Sequence, residues 1–91
     1  MKKRVVILVS GLVQGVFYRS KTLRKSKNLN LTGWVKNEPN GSVKIVAEGE
    51  EENLGELIGW TKSGPPLAKV NKIKVEWEKD KEEFKDFEIR Y

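Results

Sequence analysis

The sequence predicts an α+β sandwich: two helices on one face of an antiparallel five-stranded sheet. Three observations predict it. The length of 91 residues allows one core and no second. Apolar residues (37%) and charged residues (34%) stand in the balance of a small globular domain, with too many apolar positions for a disordered chain. The hydrophobic spacing alternates between a period of two and the helical period, in the order strand, helix, strand, strand, helix, strand, with a short strand to close.

Val5, Ile7 and Val9 alternate with Val6, Leu8 and Ser10, so residues 4–10 read as the first strand. Gly11-Leu12-Val13-Gln14-Gly15-Val16 is a loop bracketed by glycines. From Tyr18 to Leu29 the spacing turns helical, with a thin buried stripe of Tyr18, Thr22, Leu23, Ser26 and Leu29. Asn30 suits the left-handed position that ends a helix. Gly33 to Asn37 reads as the second strand. Pro39-Asn40-Gly41 is a hairpin signal, and Asn-Gly fits a type I′ turn. Val43, Ile45 and Ala47 alternate with Ser42, Lys44 and Glu48 in the third strand. Glu50, Glu51 and Glu52 place negative charge where a helix dipole favours it. Leu54, Leu57, Ile58 and Thr61 then make an amphipathic stripe that ends at Gly64-Pro65-Pro66. Val70 leads into Ile73, Val75 and Trp77, which alternate with charged residues. A charged turn at 79–83 precedes a last strand holding Phe87, Ile89 and Tyr91. This element order, with both helices on one face, is the ferredoxin-like βαββαβ sandwich plus a terminal strand, formed as a single domain over residues 1–91.

What is missing narrows the chemistry. The chain has no Cys and no His, which excludes disulfides, thiol nucleophiles, Cys/His zinc sites and Ser-His triads. Any chemistry falls to Arg, Lys, carboxylates, amides, hydroxyls and backbone dipoles. No apolar run approaches the roughly 20 residues that span a bilayer, and no signal-peptide pattern follows Met1. The expected setting is the cytoplasm, without a membrane partner.

Charge is unevenly placed. Residues 1–37 hold nine of the 18 Lys and Arg residues and none of the 13 acids; residues 38–91 carry a net charge of −4. A positive N-terminal part fits an anionic partner or a Lys-rich soluble surface. The loop after the first strand narrows the first reading. A glycine-bracketed loop entering a helix presents several unpaired N–H groups in one direction, a cradle for a tetrahedral anion. Arg19 falls in the first turn of that helix, where a cation opposes the dipole and a bound dianion would relieve it. Its fork of donors suits phosphate oxygens. Spacing alone also fits a plain strand-to-helix loop with a surface Arg, and an Asn37 that merely ends a strand.

Two motifs separate these readings. The run Gly11-Leu12-Val13-Gln14-Gly15-Val16-Phe17-Tyr18-Arg19 resembles the acylphosphatase signature G-x-V-Q-G-V-x-[FY]-R. Gly33-Trp34-Val35-Lys36-Asn37, followed by Gly41-Ser42-Val43, resembles the second signature of that family. Glu48-Gly49, Gly64-Pro65-Pro66 and the ending Phe87-Glu88-Ile89-Arg90-Tyr91 are similar to recurrent family positions, so the resemblance covers essentially the whole chain. It implies a sheet order of 4-1-3-2-5 by strand number. It also implies hydrolysis of acyl phosphates to a carboxylate and inorganic phosphate, without metal or other cofactor. Carried over by motif, the phosphate-binding loop is Gln14, Gly15, Val16, Phe17, Tyr18 and Arg19, and the catalytic residues are Arg19 and Asn37. Arg19 and the loop N–H groups would hold the phosphoryl group, and the Asn37 amide would orient the attacking water. Candidate substrates are acetyl phosphate, carbamoyl phosphate, bisphosphoglycerate and aspartyl-phosphate proteins; inorganic phosphate or sulfate would be site ligands.

The residue set suffices for that reaction. The leaving group is a carboxylate, whose acid has a pKa of about 4, so it departs without a proton donor. Phosphoryl transfer rests on placement and on stabilising charge at the phosphoryl oxygens. Acids are absent before Glu38, so a Mg²⁺ cluster beside the loop is not expected.

The position of Phe17 is often Gly in microbial members, and its expected effect is on loop flexibility. Thr22 and Ser26 put hydroxyls on the buried stripe and should weaken helix packing. Val6, Leu8 and Trp34 would face away from the helices, yet a monomer is expected. The alternative is a non-catalytic ferredoxin-like module binding RNA or protein. RNA-recognition sheets carry strand aromatics, and Ser42–Glu48 has none, so no nucleic-acid partner is expected. A detached maturation domain of acylphosphatase type would be expected to continue into zinc-finger cysteines, which this chain lacks.

Overall fold

A computed structural model describes residues 1–91. The elements are β1 (Lys2–Leu12), α1 (Tyr18–Asn28), β2 (Thr32–Asn37), β3 (Val43–Glu50), α2 (Glu51–Thr61), β4 (Lys69–Lys79) and β5 (Phe87–Arg90). The sheet order is β4-β1-β3-β2-β5.

The core lies between the sheet and the two helices. Val5, Ile7 and Val9 of β1, Val35 of β2, and Val43, Ile45 and Ala47 of β3 are fully buried there. Tyr18 of α1 and Leu54 and Leu57 of α2 close over them, as the helical spacing requires. Leu23, Leu29 and Ile58 pack at the edges of this cluster, half-buried.

β1 is longer than its apolar alternation suggests. Its first residues are charged, and they continue the ladder by pairing Lys2 with Glu50 and Lys3 with Gly49. Ion pairs of 3.0 Å (Met1 N to Glu50) and 3.1 Å (Lys3 to Glu51) reinforce that end. At the other end Gly11 and Leu12 still pair, with Val70 and Lys69, across a register shift after Ser10. The loop therefore begins at Val13. Asn30 is left-handed (φ 56°), as its position predicted.

Two expectations need correction. Asn40-Gly41 does not form a type I′ turn, which needs positive φ at both residues. Only Gly41 has it, at 94°. Pro39 instead takes the first central position of a Glu38–Gly41 turn, closed by Gly41 N to Glu38 O at 3.1 Å, and left-handed Gly41 leads back into β3. Pro cannot reach positive φ, so it sets this turn.

The sheet is mixed, not purely antiparallel: β5 pairs in parallel with β2, Gly33 opposite Phe87 through Lys36 opposite Arg90. The cause lies in residues 80–86. Buried Glu48 accepts Lys81 N–H at 2.9 Å and Glu83 N–H at 3.1 Å, with Arg4 at 3.3 Å from the same carboxylate. Arg4 also donates to Glu83 at 2.9 Å, a bond that holds the Glu83 carboxyl below the usual carboxylate range. The chain leaving β4 is thereby bound along one end of the sheet. From there β5 can run only back toward the other end, beside β2. The ladder stops at Arg90, so Tyr91 lies beyond the strand, at the end where α1 begins.

On the face away from the helices, Val6, Leu8 and Trp34 are half-buried. Arg90 and Lys44 lie 4.9 and 6.0 Å from the Trp34 ring centre, long side chains covering apolar surface. No helix is long and apolar enough to cross a membrane.

The two buried hydroxyls of α1 differ. Thr22 Oγ1 donates to Tyr18 O at 2.8 Å, whereas Ser26 Oγ is buried with no partner. Ser26→Ala removes that unpaired group and adds helix propensity, so it should raise the unfolding free energy by about 1 kcal/mol. Urea denaturation checks this; an unchanged or lower midpoint would show that the hydroxyl is satisfied in solution.

Candidate active site

The site begins where β1 ends. Val13 is buried and anchors the loop. Gly15 (φ 74°) and Phe17 (φ 65°) are left-handed, and neither Val16 nor Tyr18 is. This alternation in the sign of φ turns successive N–H groups toward one concave point, an anion-binding nest. None of the N–H groups from Gln14 to Phe17 donates to another backbone group, and the helix ladder starts with Lys21 N to Phe17 O at 3.1 Å. α1 has no side-chain cap and no acid in its first turn. Its first N–H groups and positive dipole end are left facing the same space.

Arg19 stands in that first turn. The ion pairs of the chain use Met1, Lys3, Arg4, Lys27 and Arg90 as cations, and Arg19 is in none of them. Its guanidinium lies 4.8 Å from the ring centre of Tyr91. A pocket of about 290 Å³ brings Gly15, Phe17, Tyr18 and Arg19 together with Asn37, from the end of β2, and with Ile89 and Tyr91. Asn37 Oδ1 is buried and has no hydrogen-bond partner. An unsatisfied buried acceptor beside an anion cradle is suited to a water molecule.

The expected residues divide by position. Gly15, Phe17, Tyr18, Arg19 and Asn37 line the pocket; Gln14 and Val16 do not. The Gln14 side chain turns instead to the β2–β3 hairpin. Its Nε2 donates to Glu38 O at 2.8 Å and to Ser42 O at 2.9 Å. Tyr18 faces the core beneath the loop, its hydroxyl donating to Thr61 O at 2.8 Å. Burial pushes its phenol well above the usual range, so it stays neutral and bonded. Val13, Ser20, Ile89 and Tyr91 also line the pocket, outside the expected set. Val13 reads from its spacing as a plain loop residue, Ser20 carries no signal of its own, and Ile89 and Tyr91 depend on the parallel return of β5.

No group of three or more His, Cys, Asp or Glu side chains is arranged to hold a metal ion. The geometry offers converging N–H donors, one unpaired guanidinium and one free amide oxygen. Groups of this kind suit a tetrahedral anion with a water molecule beside it.

Comparison with known proteins gives the same chemistry a family. The family model described as Acylphosphatase matches residues 5–89. The chain is 47% identical over 87 residues to an acylphosphatase from Methylococcus capsulatus, covering 96% of this chain and 95% of that one. It is 42% identical to one from Geobacter sulfurreducens, with each chain covered in full. The crystal structure of acylphosphatase from Bacillus subtilis superposes with a TM-score of 0.94 at 37% identity, again over the whole of both chains.

Gln14→Leu tests the tie between loop and hairpin. Both carbonyls keep a hairpin partner, Gly41 N for Glu38 O and Glu38 N for Ser42 O, so nothing is orphaned. The expected loss is that of two hydrogen bonds, about 2 kcal/mol of stability. Equilibrium unfolding measures it; a variant as stable as the parent would mean that these bonds form only weakly in solution.

Proposed function

Because the chain belongs to the acylphosphatase family, we propose that its Gln14–Arg19 loop holds the phosphoryl group of an acyl phosphate while Asn37 orients the water that attacks it. The enzyme hydrolyses the carboxyl-phosphate bond of small-molecule acyl phosphates. One observation carries the assignment of residues: the loop, unpaired Arg19 and the unpartnered Asn37 Oδ1 meet at a single pocket.

The steps follow from these groups. The phosphoryl oxygens sit against the loop N–H groups and the Arg19 guanidinium, fixing phosphorus at the mouth of α1. Asn37 Oδ1 accepts a hydrogen bond from water and aims its oxygen at phosphorus. The new P–O bond forms as the P–O bond to the acyl carboxylate breaks. The carboxylate leaves as a weak base, with the bonding electron pair and no added proton. A proton of the attacking water passes to a phosphoryl oxygen, because an amide is not a base at neutral pH. The products are the carboxylate and dihydrogen phosphate. The donors act most strongly on the charge that builds up as the bond breaks, and they are already aligned before it does.

The rest of the reading is of one piece with this. Residues 1–91 form one ferredoxin-like domain with β5 appended, acting as a monomer in the cytoplasm and using no cofactor. Inorganic phosphate and sulfate occupy the same cradle. A phosphate monoester has an alkoxide leaving group, which needs a proton donor that the pocket does not offer.

Phosphate release from acetyl or benzoyl phosphate with EDTA present tests the assignment. Turnover should persist. Arg19→Gln should lower it at least about a hundredfold, the scale of a lost transition-state donor. Asn37→Ala should lower turnover with phosphate affinity largely kept. Full activity in Arg19→Gln, or Asn37→Ala losing phosphate affinity at unchanged turnover, would refute the respective role.

A further inference from the structure

We propose that Phe17 and Tyr91 form an aromatic lip at the mouth of the phosphate cradle, selecting acyl phosphates with a bulky apolar acyl group, aroyl phosphates in particular, over acetyl phosphate. The inference rests on the site assignment above and adds the class of acyl group.

Phe17 is the anomaly that leads to it. The residue is left-handed, a conformation that costs a side-chain-bearing residue energy and that glycine adopts freely. Its ring is 67% exposed, so core packing does not repay the strain. It stands at the N-cap of α1 and makes no side-chain cap bond. Neither fold stability nor helix capping accounts for an aromatic ring here. Backbone strain retained beside a functional pocket points to a role in that pocket.

Tyr91 supplies the second observation. It is 92% exposed, and it lines the same pocket as Phe17. Of the large exposed apolar side chains, these two line the pocket of the phosphate cradle, and Met1, Leu12, Leu67 and Trp77 lie elsewhere. Arg19 lies over the Tyr91 ring at 4.8 Å, which places that ring beside the group that grips phosphate.

Substrate geometry does the rest. With the phosphoryl group seated on the N–H groups, the acyl oxygen must point outward, because the carboxylate leaves toward solvent. The first protein surface the acyl group meets is the lip. A benzoyl ring covers exposed aromatic surface there, and that binding energy comes from a part of the substrate that does not react. An acetyl methyl is too small to do so. An acyl group with a second phosphate gains nothing, because Arg19 is the one charged side chain lining the pocket and the transferred phosphoryl group takes it.

The test compares kcat/KM for benzoyl and acetyl phosphate in the full chain and in the double variant Phe17→Gly/Tyr91→Ala. Comparing ratios cancels the intrinsic reactivities of the two substrates. The native enzyme should favour benzoyl phosphate, mainly through a lower KM. The double variant should lose about tenfold of that preference. Phe17→Gly alone, which relaxes the backbone at that position, should lose part of it. A preference that the double variant keeps in full, or a native enzyme that favours acetyl phosphate, overturns the lip and leaves the phosphate cradle standing. A native enzyme in which Arg19→Gln costs nothing with either substrate overturns the cradle, and the lip with it.

Discussion

One side-chain amide joins the two halves of this site. The N–H nest and Arg19 come from the β1–α1 segment, and Asn37 comes from the end of β2, in a different part of the chain. Gln14 Nε2 bridges them through Glu38 O and Ser42 O, at 2.8 and 2.9 Å. Both carbonyls also belong to the hairpin that follows Asn37, so the loop is held to the framework that sets the Asn37 position. A phosphoryl group and its attacking water must sit within a fraction of an ångström of their reactive arrangement. A loop tied to the hairpin can supply that placement, and a free loop cannot. Tyr18 does the same work from below, anchoring the first turn of α1 to the end of α2 through Thr61 O.

The sequence carried most of the framework, and the reason is local. Alternation in β3 and the Leu54-Leu57 stripe each reflect one element facing one core, and both core faces emerged where the spacing put them. Asn30 ended its helix as a left-handed residue because that preference belongs to the residue itself. Features set by distant partners were not legible. The direction of β5 depends on Glu48 receiving the backbone of residues 81 and 83, and nothing in Phe87-Glu88-Ile89 encodes it. At the hairpin, the fixed φ of Pro39 overrides the type I′ preference of the Asn-Gly pair that follows it.

The site was legible in a different way. Spacing alone left Arg19 and Asn37 each with two readings, and paired motifs at their separation chose between them. The structure adds what motifs cannot hold: that Arg19 is unpaired, that Asn37 Oδ1 is buried without a partner, and that Tyr91 returns to the same pocket. Gln14 stood in the motif as a loop residue, but its side chain faces the hairpin. A chain without His or Cys can run this reaction because an acyl phosphate brings its own good leaving group. What remains is placement and charge, the two things that the proposed roles of the loop N–H groups and Arg19 supply.

The claim beneath all of this is that the mouth of α1 is built for a phosphoryl group. Titration of the ¹⁵N-labelled protein with inorganic phosphate, followed through its amide resonances, tests it most directly. The account predicts saturable shifts concentrated on Gly15 to Arg19, with smaller ones at Asn37, and their loss in Arg19→Gln. Shifts spread over the lysines of the open sheet face, or none at the loop at saturating phosphate, would contradict it.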